Sequence, residues 1–212
     1  MISSQHLKTV RLQSSLLRHG FFGPLNCDCP VLEHLELENC GLWDLKEISS
    51  RSLKVLRIID CNIFNGLVIC TSNLTHLSIV DPRCDSGATL HAPLPELALE
   101  RGLRTCPVFS NLTSLVLGDW CMAADFYPLR HILHRSPKLK ELSFNLEMEE
   151  CRKCKESESA LPSSRGAPSS GAGSHPCIER IKIHCQKEDP RVGALVQALL
   201  LVSDVEIGIE RR

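Results

Sequence analysis

No stretch of about 18 uncharged apolar residues occurs in the 212-residue chain, so no membrane-spanning helix is expected. The N-terminal MISSQHLKTVRLQ has no continuous apolar core either, and so no secretory leader is expected. Also missing is any block of lysines and arginines. With a net charge of -1 and a pI near 6.7, the chain lacks the concentrated positive charge that a nucleic-acid backbone or an anionic membrane would require. The glycine patterns that cradle phosphate, G-x-x-x-x-G-K-[ST] and G-x-G-x-x-G, are absent, and no serine lies in a G-x-S-x-G turn. An enzyme reading therefore has no residues to start from, and no cofactor is expected. What remains is a soluble protein of the cytoplasm or nucleus. In such a reducing compartment the 12 cysteines are expected as small buried hydrophobes and not as disulfides. The acceptor patterns Asn73-Leu74-Thr75 and Asn111-Leu112-Thr113 then carry no sugar.

What is present is a recurring template. CPVLEHLELENC and SLKVLRIIDC can both be written L-x-x-L-x-[LI]-x-x-C, with Leu32, Leu35, Leu37, Cys40 in one and Leu53, Leu56, Ile58, Cys61 in the other. The same L-x-x-L-x-L frame fits Leu7/Val10/Leu12, Leu74/Leu77/Ile79, Leu112/Leu115/Leu117, Leu139/Leu142/Phe144, Ile178/Ile181/Ile183 and Val202/Val205/Ile207, with a weaker match at Leu94/Leu97/Leu99. Most intervals lie near the roughly 20 to 29 residues of leucine-rich repeats. In a short strand alternate side chains share a face, so the last two apolar positions of each match point into a core and the residues between them point to solvent. The Cys after the strand packs inward where the chain bends away. A fold of class α/β follows: a leucine-rich-repeat solenoid, with a parallel sheet on its concave side and helices and loops on its convex side.

Helical period appears between strands. DFYPLRHILHRSPKL places Leu129, Ile132 and Leu133 on one face, with Asp125 near its start and Pro137 stopping it. EDPRVGALVQALLLV starts with Asp189 as N-cap and Pro190 in the first turn, then aligns Val192, Leu195, Val196, Leu199 and Leu200. A shorter helix is expected in GLWDLKEIS, facing Leu42, Leu45 and Ile48 inward. The expected organisation is repeats over 1–146, a disordered Ser/Gly/Pro-rich insertion over 147–177, and C-terminal repeats over 178–212.

Candidates for chemistry are few. Cys151 and Cys154 have redox or zinc spacing without a second pair, and His131 and His134 read as solvent-facing helix residues, so no metal site is expected. Cys27 and Cys29 read as a loop at a repeat boundary. The outward row of the strands is the candidate protein-binding surface: Arg11, His34, Glu36, Glu38, Val55, Arg57, Ile59, His76, Val80, Val116, Glu141, Arg180 and Lys182. It reads as an acidic stretch at Glu36 and Glu38, an apolar centre at Val55, Ile59, Val80 and Val116, and a basic end at Arg180 and Lys182. An apolar centre within a charged rim suits protein recognition.

The segments CPVLEHLELENCGL, SLKVLRIIDCNI, VFSNLTSLVLGDWC with LRHILHRSPKLKELSF, and the closing IERIKIHCQKEDPRVGALVQALLLVSDVEIGI resemble the leucine-rich-repeat region of plant F-box/LRR proteins of the grass type. The tail resembles their FBD-type end. The resemblance implies an RNI-like horseshoe that selects a protein substrate for a ubiquitin ligase. Its adaptor-docking F-box has no counterpart here, because Met1 leads almost directly into a repeat, so a Skp1-like adaptor is not expected as a partner. The chain then reads as a recognition domain without its docking half, as a small-ligand sensor of the same architecture, or as a non-functional truncated fragment. A repeat array that starts on a bare strand is further expected to be marginally stable or to self-associate.

Overall fold

The computed structural model describes residues 4–17, 25–43, 45, 47–63, 67–81, 108–146, 178–186, 189–200 and 205–211. In chain order the strands are β1 (Thr9–Gln13), β2 (Leu16–Leu17), β3 (His34–Glu38), β4 (Gly41–Leu42), β5 (Glu47–Ser49), β6 (Val55–Ile59), β7 (Asn62–Ile63), β8 (Val68–Cys70), β9 (His76–Val80), β10 (Ser114–Gly118), β11 (Glu141–Asn145), β12 (Arg180–Cys185) and β13 (Ile207–Arg211). Helices are α1 (Leu25–Asp28), α2 (Ala123–His134), entered through a 3-10 turn at Asp119–Met122, and α3 (Arg191–Leu200). The fold is α/β, built on an eight-stranded parallel sheet of order β1-β3-β6-β9-β10-β11-β12-β13.

Leucine spacing sets the register of that sheet. Val10, Leu35, Leu56, Leu77, Leu115, Leu142, Ile181 and Ile207 align as one row, and Leu12, Leu37, Ile58, Ile79, Leu117, Phe144, Ile183 and Ile209 as the next. From Leu35 to Ile183 the residues of both rows are buried and form one continuous core. A slip of one residue in any strand would turn its whole apolar set to solvent, which is why the alternation fixes the pairing. The first apolar residue of each match, such as Leu32, Leu53, Leu74, Leu112 and Leu139, is also buried. A second ladder runs along the N-terminal ends of the strands. The N–H groups of Glu33 and His34 both donate to the Lys8 carbonyl, those of Lys54 and Val55 to Glu33, and the pattern repeats to Glu179 and Arg180 on Lys140.

The strand ends show what the cysteines do. Ser14, Asn39, Asp60 and Asp81 each follow a strand of the large sheet with φ of 51, 50, 52 and 46°, the left-handed conformation that short polar residues tolerate. Each of the first three donates its N–H to the last residue of the next strand: Ser14 to Glu38, Asn39 to Ile59, Asp60 to Val80. Cys40 and Cys61 come directly after this reversal and are buried. The Cys40 thiol lies 3.3 Å from the Glu38 carbonyl oxygen and 3.4 Å from that of Leu12, and Cys61 repeats this with Ile59 at 3.2 Å and Leu37 at 3.4 Å. Burial pushes the Cys61 thiol up to about 11, which suits a packing residue and not a nucleophile. Gly118 closes β10, where an added Cβ would lie 2.9 Å from the backbone nitrogen of Asp81.

Several sequence expectations are corrected. GLWDLKEIS is not a helix but contributes β4 and β5, although Leu42, Leu45 and Ile48 are buried as expected. Short strands also stand on the far side of the next units, giving a three-stranded sheet β2-β4-β7 and a pair β5-β8. The Leu94 match supplies no rung of the large sheet between its neighbours, because β9 pairs directly with β10, His76 beside Ser114. Residues 82–107, with Leu94, Leu97 and Leu99, lie outside the described residues, as do 147–177 with Cys151 and Cys154. The last strand sits two residues later than the template placed it, since Ile207 and not Val205 aligns with Ile181. A shift of two preserves the facing side chains, so alternation alone could not detect it. Cys27 lies on α1 and is exposed, while Cys29 behind it is buried.

The two longer helices match their sequence signals. In α2, Leu129, Ile132 and Leu133 are buried, and Arg135 ends the helix just before Pro137. In α3, Leu195 and Leu199 are buried and Val192 and Val196 pack against the core, while Leu200 is exposed. The Asp189 carboxylate accepts the Arg191 backbone N–H at 2.9 Å, as an N-cap does. It also takes the Arg191 guanidinium at 2.8 Å, and the same guanidinium reaches Asp119 at 2.7 Å, tying α3 to the turn before α2. The hydrogen bond from the Arg191 side chain, chiefly, holds the Asp189 carboxyl below the usual carboxylate range against the effect of burial. A folded-state value below the unfolded one stabilises the fold above about pH 4, and that stabilisation disappears as pH falls further. Arg191→Met, which leaves Asp189 buried without its cation, is expected to cost about 1 to 3 kcal/mol at neutral pH, discounted for the partly exposed guanidinium. Urea melts of both proteins at pH 7 and pH 3 check this, the difference between them shrinking at the lower pH.

Candidate functional site

The outward residues of the large sheet form three rows. At the N-terminal ends stand Thr9, His34, Val55, His76, Ser114, Glu141 and Arg180. Along the middle run Arg11, Glu36, Arg57, Ser78, Val116, Ser143, Lys182 and Gly208. At the C-terminal ends Gln13, Glu38, Ile59 and Val80 are neighbours in order, and Gly118, Asn145, His184 and Glu210 are neighbours in order. Each row follows from the leucine register, because residues flanking a buried position must face the other way.

Over β1, β3, β6, β9 and β10 the first two rows border an open depression of about 410 Å³. Seven of the sequence-predicted residues meet there: Arg11, His34, Glu36, Val55, Arg57, His76 and Val116. Thr9, Ser78 and Ser114 complete its polar lining. Glu36 is the electrostatic hinge of the site, with the Arg11 guanidinium at 3.1 Å and that of Arg57 at 3.7 Å. Both arginines stay more than half exposed, so their remaining N–H donors are available above the sheet. The Thr75 hydroxyl lies 3.0 Å from the Lys54 carbonyl oxygen and 2.9 Å from His76 Nδ1, which fixes the imidazole beside the depression. Beside this row Lys54 bonds Glu33 at 3.1 Å and holds its carboxyl below the usual range.

The charge pattern differs from the one read in the sequence. Glu36 does not join Glu38 in an acidic patch, because two arginines on adjacent strands neutralise it. Arg180 and Lys182 do not make a bare basic end: Arg180 pairs with Glu141 at 3.0 Å and Lys182 with Glu210 at 3.7 Å. His184 also approaches Glu210, at 3.1 Å. Glu210 faces outward only because the last strand sits two residues beyond the Val202/Val205/Ile207 match. Val80 holds an outward register position but is buried and so offers no contact surface, and Ser78 is buried as well. The close approach of Gly118 and Asp81 at the end of β9 leaves no open space there. Ile59 and Glu38 lie in the third row, outside the depression, and Glu141, Arg180 and Lys182 lie on β11 and β12 beyond it.

Elsewhere the candidates have structural partners. His131 stacks on Tyr127 with ring centroids 5.7 Å apart, and His134 is exposed. Among the described residues no group of three or more His, Cys, Asp or Glu side chains could hold a metal ion. The side-chain amides of Asn73 and Asn111 donate to the Arg51 and Ser72 carbonyls, stitching successive turns. No helix of the described residues is long and apolar enough to cross a membrane. Comparison of the chain with family models, with curated proteins and with solved structures gives no match in any of the three.

Proposed function

We propose that this chain is a leucine-rich-repeat solenoid whose outward sheet face is a non-catalytic protein-recognition surface. Its role is comparable to that of the substrate-recognition region of an F-box ubiquitin-ligase receptor. Supporting the solenoid reading are the spacing of the L-x-x-L-x-L segments and the repetition of the left-handed turn and its cysteine. The observation that carries the functional reading is the Arg11–Glu36–Arg57 bridge beside Val55 and Val116 around a single depression. Apolar floor and part-satisfied guanidinium donors together suit a protein segment that inserts one apolar side chain and offers carbonyl or carboxylate oxygens to the arginines. The partner is a protein; nucleic acid and membrane have no matching charge on this face. Work inside the cytoplasm or nucleus suits the buried thiols of Cys40 and Cys61.

The test is comparative affinity capture with wild type, Arg57→Glu/Val116→Asp on the outward face, and Trp43→Ala, an exposed residue next to β4 and away from the large sheet. Proteins held by wild type and by Trp43→Ala but released by the double variant are the expected result. Equal capture by all three would exclude this face. A second reading rests on the size of the depression, which falls within the roughly 300 to 1,000 Å³ of small-molecule sites. In that reading an anionic metabolite binds at Arg11 and Arg57, and a thermal-shift panel of carboxylate and phosphate compounds distinguishes it from a protein-only surface.

A further inference from the structure

Among the described residues β1 and β13 each pair on one side only, so the eight-stranded sheet has two open edges. Backbone groups in a parallel strand alternate between its two neighbours. The His34 N–H bonds the Lys8 carbonyl, which assigns residues 8, 10 and 12 to β3 and turns the backbone N–H and C=O groups of Thr9, Arg11 and Gln13 to the open side. At the far end, the Arg180 N–H bonds the Lys140 carbonyl on the β11 side. Residues 179, 181 and 183 therefore serve β13, and Ile207 and Ile209 turn their own groups outward.

The edges match one another. Ile207 and Ile209 continue the two buried rows that begin at Val10 and Leu12, yet Ile209 is 40% exposed, so the row ends without cover. Gly208 stands in the middle outward row, where an added Cβ would meet only the Ile181 carbonyl at an ordinary 3.6 Å. Nothing in its own surroundings requires a glycine, and it leaves a gap in the row of side chains. Across that gap a neighbouring Arg11 would find Glu210 diagonally placed, the same relation in which Lys182 already reaches Glu210 at 3.7 Å. Arg11 is 77% exposed and has donors beyond those given to Glu36.

We propose that copies of this chain associate head to tail, β1 of one against β13 of the next, so that Val10 continues the Ile207 row, Leu12 the Ile209 row, and Arg11 lies over Gly208 beside Glu210. The contact is heterologous, so it propagates into open chains or large rings and does not stop at a dimer. This association uses the backbone of the sheet edges and shares only Thr9, Val10 and Arg11 of β1 with the depression of the outward face.

Sedimentation velocity over a wide concentration range, with two edge-blocked variants, tests it. Thr9→Pro and Ile209→Pro each remove an N–H that faces only the open side, which an edge strand tolerates. Wild type is expected to grow steadily in mass with concentration. Each proline variant alone is expected to stay a monomer, and their equimolar mixture to form a dimer and nothing larger, through the one intact edge each retains. A wild type that remains monomeric at its highest soluble concentration overturns the proposal, as does a proline variant that assembles like wild type. Should either proline variant lose the cooperative melt of wild type, Arg11→Asp and Ile209→Lys replace the pair with the same expected pattern.

Discussion

Leu56→Ala is expected to lower the unfolding free energy by about 3 kcal/mol, within the roughly 2 to 5 found for deletions of buried leucine side chains. Leu56 is fully buried in β6, near the middle of the eight strands, with Leu35 on one side and Leu77 on the other. Removing it empties a position flanked on both sides by residues of the same row, whose strands are held in register by the backbone and cannot close the gap. The comparison is with Ile59→Ala, three residues further along the same strand but facing outward, which is expected to cost less than about 1 kcal/mol because its side chain keeps solvent contact. Urea denaturation of the two variants measures the difference. Equal losses would mean that the alternation along β6 does not separate core from surface.

Trp120→Ala is expected to cost about 3 to 5 kcal/mol, the range for deleting a large buried aromatic. The indole is 4% exposed, and its Nε1–H donates to the Ile79 carbonyl at 3.0 Å. The 3-10 turn that carries it follows β10, so one side chain closes the end of β9 from the next strand's connection. Trp120→Phe separates the two contributions: it keeps most of the ring but removes the buried hydrogen bond to the Ile79 carbonyl, at an expected cost of about 1 to 3 kcal/mol. Fluorescence of Trp43, which is 52% exposed, is a weak probe of unfolding, so far-ultraviolet circular dichroism is the better readout.

The large sheet was legible in the sequence because each strand needs only a pair of aliphatics two residues apart and a third three residues earlier, as in Leu32, Leu35 and Leu37. That pattern specifies both the strand and its inward face. It does not specify the far side. Leu42, Leu45 and Ile48 are spaced three apart, as on a helix, but two strands of two and three residues account for Leu42 and Ile48, and all three side chains are in the core. Segments that short carry no period to read. Placement of the last strand failed for a related reason, since Val205, Ile207 and Ile209 offer two positions that bury the same face, and only pairing with Ile181 chooses between them.

For the site, the outward residues were legible but their charge balance was not. Arg11, Glu36 and Arg57 are far apart in the chain and become neighbours only when the registers of β1, β3 and β6 are combined. Once the register is known, Glu36 must lie between two cations, and the acidic patch disappears. The left-handed turns at Ser14, Asn39, Asp60 and Asp81 left a readable trace, a Ser, Asn or Asp directly after each strand. The buried Val80 had none, because it depends on how closely Gly118 and Asp81 approach.

The most direct test of the recognition face is a calorimetric titration of a partner captured by wild type against wild type, Arg57→Glu/Val116→Asp and Trp43→Ala, all shown to melt cooperatively. The predicted result is an affinity weakened about tenfold or more for the double variant and unchanged for Trp43→Ala, as expected when a few central contacts dominate binding. An unchanged affinity for the double variant, or a loss confined to Trp43→Ala, would contradict the account by placing the binding surface away from the residues between the leucines.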